Sequence, residues 1–497
     1  MLGFFSTVKR AYSAFPATAF HPTIYALSTP QGQRSALAVI RITGSHSQYV
    51  YHRITRSLKH PIARRASLRA LYDPQESRES LLDSSVVLFF QSPLSFTGED
   101  MLELHVHGGK AVVSKVLKAL EALNNPEHNI NIRYAEAGEF SRRAFQNGRM
   151  DLTQIEGVGK LIDAETEMQR KSALSGSTGE NKLLFEKWRT RILSNVAKIT
   201  AIIDFGEDSE IEDIERVLSS VEGDISELAQ EISAFLTRIE RSSLVENGIR
   251  LALVGEPNAG KSSLLNCITN DETAIVSSIP GTTRDAIDVV LDIDGYKVVI
   301  CDTAGIRDGS KDVIEVEGIK RAKLKGSQSD IVLLVLDASK KPLIKSSLLE
   351  YIKNEMRSKK VVIVLNKTDI TDAESLQTIK NRILDKLFVG TTVIPVSCLT
   401  HSGVSELIAE LTQEFKKLTM YEDGKVLVSV SSRVRAILKE DVIRGIHDFK
   451  TFYHVGDEVM ASENLRMAAD GIGKITGDAI GIEEILGVVF SSFCIGK

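Results

Sequence analysis

Asp and Glu are missing from the first 72 residues, although the whole chain carries 66 of them. Over the same stretch Lys9, Arg10, Arg34, Arg41, Arg53, Arg56, Lys59, Arg64, Arg65 and Arg69 are all basic. The field there is positive, and it would draw an anion. Cysteine is scarce too. Cys267, Cys301, Cys398 and Cys494 lie far apart with no C-x-x-C pair, so neither a zinc site nor a disulfide framework is suggested, and a reducing compartment fits. Long apolar runs are absent: stretches such as Ile331 to Leu336 fall far short of the roughly 18–20 residues that span a bilayer.

What remains is ordinary soluble composition. Of 497 residues, 43% are hydrophobic and 26% charged, with a net charge of -5, which argues against wholesale disorder. At about 100–200 residues per domain the length suggests roughly three domains.

Residues 1–21, with Lys9 and Arg10 among Ser, Thr, Ala and spaced apolar residues, resemble a mitochondrial presequence, which points to the matrix; a disordered basic tail is the plainer reading. Residues 22–150 read as an α+β domain, with strands at Ser35 to Ile42, Ser85 to Phe90 and Leu102 to Val106 and a helix from Lys110 to Leu123. Glu103 sits between two Gly-containing punctuations, as a site wall or simply a solvated strand face. Residues 151–247 and 419–497 are helical. Ile214, Leu218, Val221, Ile225, Leu228, Ile232, Phe235 and Ile239 alternate steps of four and three, the seam of an intramolecular bundle or of a dimer zipper. The Gly- and Asp-dotted stretch from Asp457 to Gly481 is the weakest part of that helical pattern. Residues 248–418 alternate strands and helices as an inserted doubly wound α/β domain, so helices before and after it are expected to pack together.

That insert carries chemistry. Gly255-Glu-Pro-Asn-Ala-Gly-Lys-Ser262 follows an apolar strand and precedes an apolar helix, the context of a P-loop. Its backbone N–H groups can cradle phosphates, Lys261 can reach them, and Ser262 can hold Mg²⁺. Asn366-Lys-Thr-Asp369 follows a later strand, where Asp369 can accept from both N1–H and the exocyclic amine of guanine. With Asp302-Thr-Ala-Gly305 between them in order, the nucleotide is read as GTP: Asp302 toward Mg²⁺ and the Gly305 N–H toward the γ-phosphate. Thr283, with Thr282 beside it, is the switch-loop hydroxyl for Mg²⁺. Ile306 stands where small GTPases of the Ras type place a water-orienting Gln, leaving either a slow enzyme or another means of orienting water.

Phe96-Thr-Gly-Glu-Asp100, Gly138-Glu-Phe-Ser-Arg-Arg-Ala-Phe145 running into Asp151-Leu-Thr-Gln-Ile-Glu156, the P-loop and a terminal Phe493-Cys-Ile-Gly-Lys497 together resemble the MnmE (TrmE) family of tRNA wobble-uridine modification GTPases, over nearly the whole chain. The resemblance implies a Ras-like P-loop GTPase domain inserted in a helical bundle, behind an N-terminal α+β folate-binding and dimerisation domain. It implies a homodimer working with an FAD-dependent MnmG (GidA)-type subunit on mitochondrial tRNA, and K⁺ as activating ion. Asn258, Ser277, Ile279 and Thr282 would then hold K⁺, and Glu315 would orient water through a bridge. Nucleotide contacts would come from Asn258, Ala259, Gly260, Lys261, Ser262, Ser263, Thr282, Thr283, Asp302, Thr303, Ala304, Gly305, Asn366, Lys367 and Asp369. A 5-formyl- or 5,10-methylene-tetrahydrofolate would be held by Arg41, Glu103, Arg149 and Lys497.

Two departures stand out. Ser397-Cys-Leu399 occupies the usual S-A-K position of the guanine loop, so a stacking Lys is lost, and Arg149 stands where bacterial members often have Lys. Cys494 is either a nucleophile or a packed tail residue. A ribosome-assembly GTPase, the competing reading, would carry an RNA module such as a KH GXXG loop, and none is found. A one-carbon enzyme regulated by GTP would act on folate without tRNA.

Overall fold

Alternating burial builds the first sheet. Along Ser35–Thr43 (β2), Ala38, Ile40 and Ile42 point one way, and along Met101–Gly108 (β5) so do Leu102, Leu104 and Val106. A computed structural model describes residues 21–76, 80–205, 211–270, 274–276, 289–301, 329–355, 359–383, 391–420, 428–479, 483–491, 493 and 495–496. The chain divides into two units, residues 1–155 with 480–497 and residues 156–479.

In the first unit, Thr23–Leu27 (β1), β2, Ser67–Tyr72 (β3), Leu81–Phe90 (β4), β5 and Ile132–Tyr134 (β6) form one sheet in the order β3-β4-β5-β2-β1-β6. All neighbours are antiparallel except β1 and β6. The buried face is covered by the helices Ser47–Thr55 and Lys110–Glu121, through Val50, Tyr51, Ile54, Val116 and Leu120. The strands expected around residues 35–42, 85–90 and 102–106 are present, and β4 runs four residues further toward its N-terminus. β1, β3, β6 and the first helix had no clear sequence signal.

The helix Glu483–Ser491 belongs to this first unit: Leu486, Val489 and Phe490 pack on Leu152 and Ile155. Helical character therefore continues past residue 480, but the packing partner changes. Ile495 bridges Ala137, and the Ser28 hydroxyl donates to the Gly496 carbonyl at 3.0 Å, so the terminal motif lies against β1.

In the second unit, Ile249–Val254 (β7), Ala274–Val276 (β8), Val289–Ile293 (β9), Tyr296–Cys301 (β10), Ile331–Asp337 (β11), Lys360–Asn366 (β12) and Val393–Pro395 (β13) form a sheet in the order β13-β12-β11-β7-β10-β9-β8. Five strands are parallel; β9 and β8 turn antiparallel at one edge. β11 is buried along its entire length because helices cover both faces, which explains its uninterrupted apolar run.

The helices Glu180–Phe205, Ile211–Asn247, Arg444–His454 and Glu458–Thr476 share a separate core. Val221, Ile225, Leu228, Ile232, Phe235 and Ile239 face Phe185, Trp188, Leu438, Leu465 and Ile472 within the same chain. The seam is an intramolecular core, and Ile214 and Leu218, at its start, are only half-buried. Glu458–Thr476 is one continuous helix in the stretch whose sequence pattern is weakest, because its glycines are packing sites. A Cβ on Gly471 would come within 2.9 Å of the Asp441 Cβ.

Candidate functional site

β7 ends at Val254 and the helix Lys261–Thr269 begins after six intervening residues, so residues 255–260 turn at the carboxyl end of a central parallel strand. Ligands of such sheets bind there. Two features make the turn tight. A Cβ on Gly255 would sit 2.3 Å from the Val335 carbonyl oxygen of β11. Gly260, the residue before the helix, has φ +94 and would drive a Cβ to 2.0 Å from Asn366 Nδ2. The N-terminus of the helix, the positive end of its dipole, therefore faces this turn.

Asn258 also lies in the left-handed region, at φ 60, with its side chain exposed. Lys261 folds back over the loop and donates to the carbonyls of Gly255 and Glu256, each at 2.9 Å. Ser262 and Ser263 are exposed on the first turn of the helix, while Ala259 is buried.

The second motif closes on the first. Asn366 ends β12 and donates from Nδ2 to the Ala259 carbonyl at 2.9 Å. Its Oδ1 is buried with no hydrogen-bond partner among the described residues. Lys367, at φ 65, reaches Asp337 Oδ2 at 2.7 Å. Burial pushes the Asp337 carboxyl up, yet the hydrogen bonds from Lys367 and Ser339 outweigh it and hold the group below the usual carboxylate range. Asp369 accepts from the Ser397 hydroxyl at 2.6 Å, and the Thr400 N–H approaches the same hydroxyl at 3.2 Å. Ser397 is thus a positioning residue for Asp369, and the departure from S-A-K spares it.

Cys398 stands where the family pattern has Ala. Burial, and then the neighbouring Cys267, push its thiol up to about 12, so it is a neutral packing group at physiological pH. Leu399 is 79% exposed in place of the missing Lys. The cradle that a Cβ would fill, the orphaned Asn366 oxygen and the carboxylate of Asp369 fit a guanine nucleotide with Mg²⁺ on its phosphates. Ser277, Ile279, Thr282, Thr283, Asp302, Thr303, Ala304, Gly305, Ile306 and Glu315 lie outside the described residues. Asp302 follows β10 directly in the chain.

A second cluster lies in the first unit. Arg41 and Glu103 are register partners on β2 and β5, with Arg41 Nε 2.9 Å from Glu103 Oε1. Both point away from the helix-covered face. Glu103 is buried, and its other oxygen is 3.3 Å from His105 Nε2. The Arg41 guanidinium lies 5.9 Å from the centre of the Phe96 ring. Arg149 donates from Nε to the Ser95 carbonyl at 3.0 Å, and Asn147 donates to the Thr97 carbonyl at 2.7 Å. The loop 95–98 therefore touches both Arg41 and Arg149. Lys497 and Cys494 lie outside the described residues.

Sequence reasoning singled out neither His105 nor Phe96 as a site residue, although Phe96 opens a quoted motif. It also missed what the Gly138–Phe145 motif does. Arg143 is almost wholly buried and bridges Glu99, Glu139 and the Pro22 carbonyl, which anchors the 95–100 loop.

The models of two families match: the MnmE helical domain over residues 152–494, and the GTP-binding protein TrmE N-terminus over residues 23–149. The mitochondrial tRNA modification GTPase MSS1 of Saccharomyces cerevisiae is 49% identical, with 97% of this chain and 95% of the relative covered. The mitochondrial 5-taurinomethyluridine-[tRNA] synthase subunit GTPB3 of Homo sapiens is 37% identical, with 98% and 96% covered. The tRNA modification GTPase MnmE of Caulobacter vibrioides is 38% identical, with 96% and 99% covered. The solved structure of Era from Aquifex aeolicus with GDP·AlF4⁻ overlaps 38% of this chain and 64% of its own at 27% identity and a TM-score of 0.27, too loosely to add to these full-length relatives. With matches at this identity across nearly its full length, the chain belongs to the MnmE (TrmE) family of tRNA modification GTPases and is one of its mitochondrial members.

Proposed function

We propose that this GTPase is potassium-activated and acts as a homodimer beside an FAD-dependent MnmG-type subunit, placing an aminomethyl-type group on C5 of the wobble uridine of mitochondrial tRNAs with a tetrahydrofolate one-carbon donor. The vertebrate relatives are named synthase subunits, which supports a second polypeptide.

On this reading Asn366, Lys367 and Asp369 select guanine, with Ser397 orienting Asp369. Lys261 leaves the loop carbonyls for the β- and γ-phosphates, and Ser262 with Thr283 holds Mg²⁺, Asp302 acting through water. Asn258, with oxygens from Ser277, Ile279 and Thr282, holds K⁺, which supplies the positive charge that an arginine finger supplies elsewhere. Glu315 orients water through a bridge, so that Ile306 need not. In the first unit Glu103 accepts from donors of a pterin ring, while Arg41, Arg149 and Lys497 offer cations to carboxylates of the folate tail.

The observation that carries the potassium reading is Asn258, an exposed residue within the P-loop whose backbone is left-handed. Hydrolysis rates in KCl and NaCl test it. The expected result is a difference of orders of magnitude that Asn258→Ala abolishes; equal rates in the two salts overturn it. For tRNA chemistry, mass spectrometry of organellar tRNA nucleosides from a deletion strain should show the wobble modification lost.

A further inference from the structure

We propose that the corner of the first unit made by the helix Ser47–Thr55 and the loop 56–66 is a docking surface for the phosphodiester backbone of tRNA. The proposal rests on the reading of this chain as a tRNA-modifying enzyme, and it places the RNA far in sequence from every residue of the nucleotide site.

The corner holds two cavities that share His60. One, of about 490 Å³, is lined by His52, Arg53, Arg56, Ser57, Leu58, His60 and Pro74. The other, of about 350 Å³, is lined in part by Tyr51, Lys59, His60, Arg65 and Arg69. Neither has a carboxylate in its wall. Asp73 and Glu76, which flank Pro74 of the first cavity's wall in the chain, are engaged by Lys115, at 3.7 Å and 3.3 Å.

The cations fall into two groups. Arg56 and Arg69 are held in place: Arg56 lies 4.5 Å over the Tyr72 ring and donates to the Asp73 carbonyl, and Arg69 donates to the Tyr51 hydroxyl at 3.3 Å. Arg53, Lys59 and Arg65 are exposed and make no ion pair among the described residues. Arg53 is fixed on the helix, and the loop that carries Lys59 and Arg65 is itself anchored, with the Arg64 N–H donating to the Phe89 carbonyl at 2.7 Å. Fixed guanidiniums beside exposed cations, with no carboxylate among the described residues that line the two cavities, match a chain of phosphates, whose contacts position a nucleic acid without reading its sequence. Recessed pockets favour discrete phosphates over the flat headgroup layer of an anionic membrane.

The test is binding of an unmodified tRNA transcript to the full-length protein across a salt series, comparing wild type with Arg53→Glu/Lys59→Glu/Arg65→Glu. A milder Arg53→Gln/Lys59→Gln/Arg65→Gln variant guards against misfolding, which thermal melting monitors. Each phosphate contact contributes roughly 0.7–0.9 to the slope of log affinity against log salt, so the expected loss is about 2–3 in slope, with affinity at least about tenfold weaker at low salt. GTP hydrolysis in KCl should be unchanged. Wild-type and variant proteins binding tRNA with equal affinity and slope would overturn the surface while leaving the tRNA reading intact; a wild type that binds no tRNA would overturn that reading as well. Phosphatidylcholine vesicles with cardiolipin form the other arm: if they capture only the wild type while both proteins bind tRNA alike, the surface is a membrane site and the proposal fails.

Discussion

The side-chain amide of Asn366 donates to the Ala259 carbonyl at 2.9 Å, so the guanine motif at the end of β12 also braces the phosphate loop. The motif read as the base site and the loop read as the phosphate site are joined by one buried hydrogen bond.

Asn366→Ala should therefore weaken GTP binding beyond the loss of a base contact. Removing a buried bond of this kind costs about 1–3 kcal/mol, or about 5- to 150-fold in affinity. Titration with a fluorescent GTP analogue reads it, and an affinity within twofold of wild type would contradict the brace. Gly260→Ala should do at least as much damage, because its Cβ meets Asn366 Nδ2 at 2.0 Å and φ is +94.

The β9–β10 hairpin turns at Asp294 and Gly295, with φ 49 and 82, as an Asp-Gly turn. Its tip touches the helix Glu167–Ser177: the Met168 N–H donates to the Gly295 carbonyl at 3.0 Å, and Lys297 lies 3.1 Å from Glu165. Gly295→Ala adds a Cβ 3.3 Å from that of Glu167 at a left-handed φ. A cost of about 1 kcal/mol, seen as a Tm lower by about 2–4 °C in calorimetry, is expected. An unchanged Tm would mean that the contact gives way without strain.

Glu139 supplies a pH signature. Burial pushes its carboxyl up, but hydrogen bonds from Arg133, the Glu136 N–H and Arg143 prevail and hold it below its ordinary value of 4.5. A group depressed in the folded state stabilises above its unfolded pKa and loses that contribution as pH falls through its folded value. Glu139→Gln should accordingly be less stable than wild type at pH 7, with the gap narrowing below about pH 4.5. Denaturant midpoints from pH 7 to pH 3 decide this; a gap constant with pH would remove Glu139 from the account.

Arg41→Ala leaves the buried Glu103 with His105 as its one side-chain partner among the described residues. Under the proposed folate role, 5-formyl-tetrahydrofolate should bind at least about tenfold more weakly by calorimetry, with Arg41→Lys intermediate because one cation of different geometry remains. GTP hydrolysis should be untouched. Undiminished folate binding would exclude Arg41 from that site.

Local patterns with a single physical meaning were legible in the chain itself. The apolar run of β11 can only be a buried strand or a core helix, and its length and flanking motifs decide for the strand. The P-loop and Asn366-Lys-Thr-Asp369 follow strands as their chemistry requires, and the heptad-like spacing from Val221 to Ile239 marks a buried helix face. β1, β3, β6, β8 and β9 escaped because short strands draw their stability from ladder partners that only the fold brings near. The helical pattern is weakest in the Gly-rich part from Gly471 onward, since the use of Gly471 as a close-packing site depends on Asp441, thirty residues away.

The order of domains, the guanine nucleotide and the positive N-terminal stretch follow from the sequence alone, because each rests on residue types at short range. Tertiary structure decided that Asn366 braces Ala259, that Ser397 orients Asp369, that loop 95–98 joins Arg41 to Arg149, and that Glu483–Ser491 packs with the first unit. Those are contacts between residues distant in the chain, where spacing carries no information and only the shared core sets the geometry.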